Sequence, residues 1–276
     1  VVSKSLLDTL SSRAREIEQI VCKRLDEDNI TWKCDEEPCT FRFHEVASRC
    51  KGRMDVRYET NQEPFTFTEI VNNKSLSPIV NSLLGGSTVA DDDALHGPTL
   101  LYAGLIFSLA GSHDQPWHQD GMPLFPEIND MMLPPYAINI FLPLTNVDAS
   151  IEAGPTEFIP LSHVMEEAAV FEKIDECTNG NVLGNRAAGS GDARANDVAS
   201  EENGEEQVQE EHPGIVCPRL NQGDALLYDY RVCHRGTSNL TQGTRRILYL
   251  MYARPWFKEH LNFGTKRLFP EANWRE

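Results

Sequence analysis

A histidine and an aspartate stand two residues apart in the segment WHQDG, at His118 and Asp120. Residues i and i+2 of a β-strand point to the same face of a sheet, so this imidazole and this carboxylate would converge on one point. A second histidine, His234, follows far downstream in DYRVCHRG, at the end of another predicted strand. Two histidines and one carboxylate on one face of a metal leave positions open for O2 and a chelating cosubstrate, as in non-haem iron(II) oxygenases. The spacing therefore predicts that His118, Asp120 and His234 bind a single iron(II) ion.

An arginine, Arg245, lies eleven residues after His234, at the start of the predicted strand RRILYLMYA. A buried arginine can bind a carboxylate through two parallel charge-assisted hydrogen bonds, which is what the cosubstrate 2-oxoglutarate requires. Neighbouring side chains of a strand point to opposite faces. We therefore expect Arg245 to face the metal-binding side and Arg246 to point outward.

One polar residue, Asn139, interrupts the apolar segment YAINIFLPL. A buried amide needs a hydrogen-bond partner. Contact with 2-oxoglutarate or with a metal-bound water would make Asn139 a cosubstrate-binding residue, whereas a backbone hydrogen bond at a strand bulge would make it structural. The sequence leaves both interpretations open.

The surrounding elements are predicted to be a few helices followed by many strands. Apolar residues recur at three- and four-residue intervals from Leu6 to Leu25, which predicts an amphipathic helix from about Ser3 to Asp26. A shorter helix is expected from Ser77-Pro78 to Gly85-Gly86, with proline in its first turn and glycine after its last. Seven segments rich in β-branched and aromatic residues are predicted strands: 99–109, 116–120, 136–144, 156–160, 214–220, 225–230 and 245–253. This order favours an antiparallel sandwich or barrel.

The length of 276 residues predicts one domain over residues 1–276. Residues 1–97 are expected to form a helical support region, residues 98–255 the β core and residues 256–276 a C-terminal tail. The stretch from Val164 to His212 has 13 acidic and 3 basic residues and few large apolar ones, so burial cannot offset the entropy of ordering it. We therefore predict a disordered acidic insertion at residues 166–211.

Composition narrows the possible partners and compartments. The net charge of −17 argues against a general nucleic-acid binder, because phosphate binding needs clustered Lys and Arg. No apolar run approaches the ~20 residues of a membrane-spanning helix. The odd number of cysteines, seven, does not suggest a disulfide framework. Reduced thiols in an intracellular, cytoplasmic compartment are expected, and the sequence leaves open a targeting segment upstream of Val1.

Three runs together resemble the phytanoyl-CoA dioxygenase family: HQDGMPLFP, NIFLPLTNVDASIEAGPTEFIPLSH and GDALLYDYRVCHRGTSNLTQGTR. In the family's order they contain the H-x-D pair, a Gly-Pro turn with a following Pro-x-Ser-His, a Gly-Asp turn, the distal histidine and the arginine. The resemblance covers about residues 100–255, apart from the insertion. It implies a mainly β protein with flanking helices, a double-stranded β-helix (jelly roll, cupin-like) of eight core strands. It also implies iron(II), 2-oxoglutarate as cosubstrate and O2, with His118, Asp120 and His234 as iron ligands and Arg245 as cosubstrate anchor.

The family pattern also assigns structural positions, and the chain departs from it at one point. The Gly154-Pro155 turn and Ser162-His163 fall on structural positions, so His163 is not expected to bind the metal. Family members often carry a hydroxyl two residues after the distal histidine, where this chain has Gly236. Thr237 follows and is therefore a candidate to help bind the cosubstrate.

The resemblance leaves the substrate open, because one fold supports many activities. We expect a small organic or acyl substrate, with succinate and CO2 as coproducts. The alternatives are a protein side-chain hydroxylase, a non-catalytic cupin-like binding protein and a zinc hydrolase. The acidic insertion could recruit a basic protein, although nothing in the sequence favours a protein partner. An acyl-CoA is not supported, because the chain is acidic and its local basic group is expected to be solvated surface: Lys51, Arg53, Arg57 and Lys74.

Overall fold

The fold combines helices with eight strands in a computed structural model that describes residues 2–33, 40–85, 97–125, 133–145, 151–165, 169–174, 214–259 and 262–271. The helices are α1 (Lys4–Glu27), α2 (Thr68–Val71) and α3 (Ser77–Leu84). The strands are β1 (Val46–Cys50), β2 (Arg53–Val56), β3 (Thr99–Ser108), β4 (Ala137–Pro143), β5 (Thr156–Phe158), β6 (Leu226–Asp229), β7 (His234–Gly236) and β8 (Arg245–Ala253). Both helices predicted from the sequence are confirmed to within about one residue at each end.

The strands form two antiparallel sheets. The major sheet has the order β1-β2-β3-β8-β4-β6, and the minor sheet pairs β5 with β7. Two isolated bridges widen the minor sheet on both sides: His118 pairs with His234 of β7, and Val216 pairs with Phe158 of β5. The predicted strands 116–120 and 214–220 thus lie beside the minor sheet, each through a single bridge. This arrangement is the predicted double-stranded β-helix.

Alternation along the major sheet separates an outer apolar face from an inner face that lines a cavity. On β4, Ile138 and Ile140 belong to the main hydrophobic core, whereas Asn139 and Phe141 line the cavity. On β2, Met54 belongs to the core, whereas Arg53 and Asp55 line the cavity. Period-two alternation of this kind is what a sheet with one packed face and one functional face requires.

Helix α1 covers the outer face of the major sheet. One stripe of the helix is buried in the main core: Leu6, Leu7, Leu10, Ala14, Ile17, Val21 and Leu25. Ser11 donates a hydrogen bond of 2.9 Å to the carbonyl of Leu144, just after β4. Glu18 accepts hydrogen bonds from Thr244 and Arg246 at the start of β8. Among the described residues, no helix combines the length and the apolar character needed to cross a membrane.

The predicted division of the chain needs three corrections. Residues 1–97 are not only a helical support, because they supply β1 and β2 of the major sheet. The C-terminal tail is part of the fold, because Leu268 and Phe269 are buried in the main core and Asn262 lines the cavity. The predicted insertion begins with a short helix at residues 169–174, in which Val170 is buried. The rest of that segment, 166–168 and 175–211, lies outside the described residues.

Candidate metal centre

His118 and His234 come together because they are direct cross-strand partners. The backbone N–H of each donates to the carbonyl of the other, at 3.0 and 2.9 Å. The two residues of such a pair project their side chains to the same face. Their ring centroids are 4.4 Å apart. The pairing of a segment near residue 118 with β7 therefore determines the distance between the two imidazoles.

Backbone carbonyls fix the orientation of both rings. The Nδ1 of His118 lies 2.9 Å from the carbonyl oxygen of Pro116, and the Nδ1 of His234 lies 2.8 Å from that of Val232. A proton on Nδ1 donated to each carbonyl leaves Nε2 as a lone-pair donor, which is the tautomer that a metal ligand needs. Burial and the neighbouring His234 ring lower the pKa of His118, which favours the neutral imidazole.

Asp120 completes the cluster from the loop that follows His118. Its two carboxylate oxygens lie 3.8 Å from His118 Nε2 and 3.7 Å from His234 Nε2. The ligand atoms of the three residues all lie within 4.8 Å of one another, a separation that fits one shared ion. The structure therefore brings together all three residues that the sequence predicted as ligands.

Asn139 holds the Asp120 carboxylate. Its side-chain amide donates to Asp120 Oδ2 at 2.8 Å and to the Tyr228 hydroxyl at 3.1 Å. The Tyr228 hydroxyl in turn lies 3.4 Å from the same carboxylate oxygen. Burial and the charge of Asp120 raise the pKa of Tyr228, so its hydroxyl remains a protonated donor. The alternative of a backbone hydrogen bond for the Asn139 side chain is wrong, whereas its contact with cosubstrate stays a prediction.

A cavity of about 240 Å³ adjoins the cluster and is lined by Arg245. Arg245 is 2% exposed on the inner face of β8. Its neighbour Arg246 points to the other face, where it bonds to Glu18 of α1 at 2.5 Å. The predicted orientation of the two arginines is confirmed, with the refinement that the outer face of the sheet is covered by a helix.

A second arginine, Arg53, lines the same cavity and was not identified from the sequence. It is 1% exposed, so its expected place in a solvated basic group is wrong. Its Nη2 donates to the carbonyl of Thr237 at 2.5 Å, and its Nε is buried without a hydrogen-bond partner among the described residues. Burial, and to a smaller extent the charge of Arg245, lowers the pKa of Arg53 to about 10, so Arg53 remains charged near pH 7. Two buried like charges near each other favour an anion bound between them.

Gly236 provides the room that Arg53 occupies. A Cβ at this position would collide with the Arg53 guanidinium and would lie 2.7 Å from the side-chain oxygen of Gln115. The family's usual hydroxyl two residues after the distal histidine therefore cannot coexist with Arg53 in its present position. The sequence did contain a signal for this arrangement, because Gly236 departs from the family pattern. It could not show that Arg53 fills the space, because Arg53 lies 183 positions away in the chain.

Thr237 does not take part in the cavity, which corrects its prediction as a cosubstrate-binding residue. Its side chain is fully buried, and its hydroxyl donates to the carbonyl of Pro155 at 2.9 Å. Ser162 accepts the backbone N–H of Cys233 at 2.7 Å, next to the distal histidine. Thr237 and Ser162 thus hold the loops around β7, and His163 lies outside the metal cluster.

The fold and the cluster together define a class of protein. A double-stranded β-helix brings two histidines and one carboxylate to within 4.8 Å of one another, beside a cavity that buried arginines also line. Three such ligands leave positions for a chelating cosubstrate and O2, which defines a mononuclear non-haem iron oxygenase.

Comparison with known proteins gives the family. The family model described as phytanoyl-CoA dioxygenase matches residues 1–247, so the chain belongs to the phytanoyl-CoA dioxygenase family and is a 2-oxoglutarate-dependent non-haem iron enzyme. AviO1 from Streptomyces viridochromogenes Tue57 is similar in structure, with a TM-score of 0.52 and 14% identity over 94% of this chain and 89% of that one. EctD from S. alaskensis, solved with 2-oxoglutarate and 5-hydroxyectoine, has a TM-score of 0.53 and 17% identity over 100% of this chain and 78% of that one. These likenesses support the fold.

Proposed function

We propose that the protein hydroxylates a small organic or acyl substrate with O2 and 2-oxoglutarate, releasing succinate and CO2. One oxygen atom of O2 enters the substrate as a hydroxyl group and the other enters succinate, so that R–H, O2 and 2-oxoglutarate give R–OH, succinate and CO2. The observation that carries the proposal is one cavity lined by His118, Asp120, His234, Arg53 and Arg245.

Each of these residues has a distinct part in the proposed reaction. His118, Asp120 and His234 would hold iron(II), which supplies the activation of O2 when it is bound. Asn139 would keep the Asp120 carboxylate in place through its hydrogen bond, as outer partners of metal ligands commonly do.

Arg245 and Arg53 would bind the distal carboxylate of 2-oxoglutarate. Both are buried on the inner face of the major sheet, and the Nε of Arg53 is a buried donor without a partner among the described residues. Carboxylate–guanidinium pairs are among the stronger hydrogen bonds in proteins, because both partners are charged. Arg53 thereby takes the part that the family's hydroxyl would have at position 236.

The experiment compares Arg245→Ala with its neighbour Arg246→Ala. Succinate formation is measured against 2-oxoglutarate concentration in iron-loaded protein. A lost charge-assisted contact costs about 1.5–3 kcal/mol, so Arg245→Ala should raise the KM for 2-oxoglutarate at least about tenfold. Arg246 contacts α1 on the other face, so its variant should keep the KM of the parent protein. A larger effect at Arg246, or no turnover of 2-oxoglutarate by the parent protein, would contradict the proposal.

A further inference from the structure

One wall of the cavity has no part in the proposed cosubstrate site. We call it the Arg49 wall, and it consists of Arg49, Asp55, Tyr102, Tyr230, Tyr249 and Asn262. Its residues come from β1, β2, β3, the end of β6, β8 and the C-terminal segment. The inference drawn from this wall rests on the proposed function, because it concerns the second substrate of the same cavity.

Arg49 lies at a β-bulge beside the cavity. On β1 and β2, Ser48 pairs with Met54 and Cys50 pairs with Arg53, so Arg49 is the extra residue of the pair of strands. Bulges redirect a side chain and are enriched beside active sites. Arg53, the β2 partner of Cys50, also lines the cavity, so this hairpin contributes two arginines to it.

The Arg49 guanidinium is held in a fixed orientation. Its Nε and Nη2 donate to Asp55 Oδ2 at 3.2 and 2.6 Å, and the Tyr249 hydroxyl donates to Asp55 Oδ1 at 2.8 Å. The guanidinium carbon lies 5.1 Å from the centre of the Phe263 ring. The two bonds to Asp55 use one edge of the guanidinium, so the donors of Nη1 lie away from Asp55. A rigidly held donor group loses little entropy when a ligand binds.

A contribution to the stability of the fold does not by itself explain the Arg49–Asp55 ion pair. Replacing a buried ion pair with apolar residues of similar size is often neutral or stabilising. Both members of this pair line the cavity, together with other polar residues. For example, Asn262 donates to the Tyr230 hydroxyl at 2.8 Å. The wall therefore presents an oriented cation among hydrogen-bonding groups, as a site for a polar ligand does.

The summed charge of the side chains that line the cavity indicates the sign of the ligand's charge. Three guanidinium groups and two carboxylates line it, those of Arg49, Arg53, Arg245, Asp55 and Asp120. Iron(II) and the 2-oxoglutarate dianion together add no net charge. One positive charge then remains among the side chains that line the cavity. A substrate with a single anionic group balances it.

Arg49 also lies within electrostatic range of the metal cluster. Burial alone would lower its pKa, but the charge of Asp55 and, more weakly, that of Asp120 hold the pKa of Arg49 above its usual value. Arg49 and Asp120 line the same cavity, so a group bound to Arg49 would lie in the cavity that adjoins the metal cluster.

We propose that Arg49 binds a carboxylate group of the primary substrate, which is a small monocarboxylic acid with its free acid group directed at the Arg49 wall. A thioester has no such group at its acyl end, so the acyl form of the substrate would be the free acid. The cavity of about 240 Å³ fits a small molecule beside the cosubstrate.

The test uses acetate, hexanoate and benzoate, each paired with its neutral primary amide. Each probe is titrated anaerobically into protein loaded with iron(II) and 2-oxoglutarate, and the visible absorption band of the iron(II)–2-oxoglutarate chelate is followed. At least one acid should change the band saturably, with a Kd at least about tenfold lower than that of its amide. In Arg49→Gln the Kd of that acid should rise at least about tenfold, and Arg49→Lys, which keeps the charge, should recover part of the affinity. The comparison of acid with amide in the parent protein needs no variant to fold.

The outcomes separate this inference from the proposed function. If iron(II) and 2-oxoglutarate give no chelate band in the parent protein, the proposed function fails. If the band forms but no acid perturbs it, or amides bind as well as acids, only the Arg49 inference is overturned. Equal affinity of an acid for the parent protein and for Arg49→Gln would overturn it as well.

Discussion

The two sides of the cavity are built in different ways. On the metal side, His118 and Asp120 are neighbours in sequence, and His118 is the direct cross-strand partner of His234. On the opposite side, Arg53 and Asp55 come from β2, far from the metal segment in the chain. On the metal side, backbone hydrogen bonds position the two histidines and Asn139 holds Asp120, whereas an ion pair and buried polar contacts hold the arginine side. Changes on the two sides should therefore affect different measurements.

Of three substitutions that compare the two sides of the cavity, Asn139→Ala on the metal side is expected to have the largest effect. The change removes the hydrogen bond of 2.8 Å to Asp120 and the bond of 3.1 Å to Tyr228. Loss of such an outer partner typically costs about 10–100-fold in metal affinity. Iron(II) titration of the apoprotein measures the effect, with the exposed Asn221→Ala as a control. Unchanged iron affinity in Asn139→Ala would mean that Asp120 needs no support.

A smaller effect is expected on the arginine side, in Arg53→Gln. This change removes a buried charge from the cavity but leaves the metal ligands in place, so it should act on cosubstrate rather than on iron. The Kd of 2-oxoglutarate for the anaerobic iron-loaded protein should rise about tenfold. Lys74→Gln is the matched control, since Lys74 belonged to the same predicted basic group but is exposed. An equal Kd in Arg53→Gln and the parent protein would remove Arg53 from the cosubstrate site.

The smallest effect is expected for Thr237→Val, which changes a residue outside the cavity lining. The hydroxyl that donates to Pro155 is lost, but the backbone N–H of Thr237 donates to the same carbonyl at 2.9 Å and remains. We expect the free energy of unfolding to fall by about 1 kcal/mol, measured by urea denaturation. The KM for 2-oxoglutarate should stay that of the parent protein, because the hydroxyl faces the loop and not the cavity. A raised KM without loss of stability would restore the original prediction for Thr237.

The same contrast explains what the sequence could and could not predict. His118 and Asp120 were found because an H-x-D pair lies within a few residues, and Arg245 was distinguished from Arg246 by strand alternation. His234, far downstream, was supported by the order of motifs in the family. Arg49 and Arg53 were missed because only the pairing of β2 with β3, two strands more than forty residues apart, carries them into the cavity. Their segment alternates polar and apolar residues over only a few positions, which is too short to predict a strand with confidence from pattern alone. The predicted disorder of the acidic insertion stays a prediction beyond the helix at 169–174.

The central claim is that His118, Asp120 and His234 bind one iron(II) ion. Anaerobic titration of the apoprotein with iron(II) tests it most directly, with Asp120→Ala as the variant and Asp114→Ala, a partly exposed aspartate six residues earlier, as the control. The parent protein and Asp114→Ala should each bind one iron(II) per chain, whereas Asp120→Ala should bind none stoichiometrically while keeping its circular dichroism spectrum. Absence of stoichiometric binding in the parent protein, or undiminished binding in Asp120→Ala, would contradict the claim.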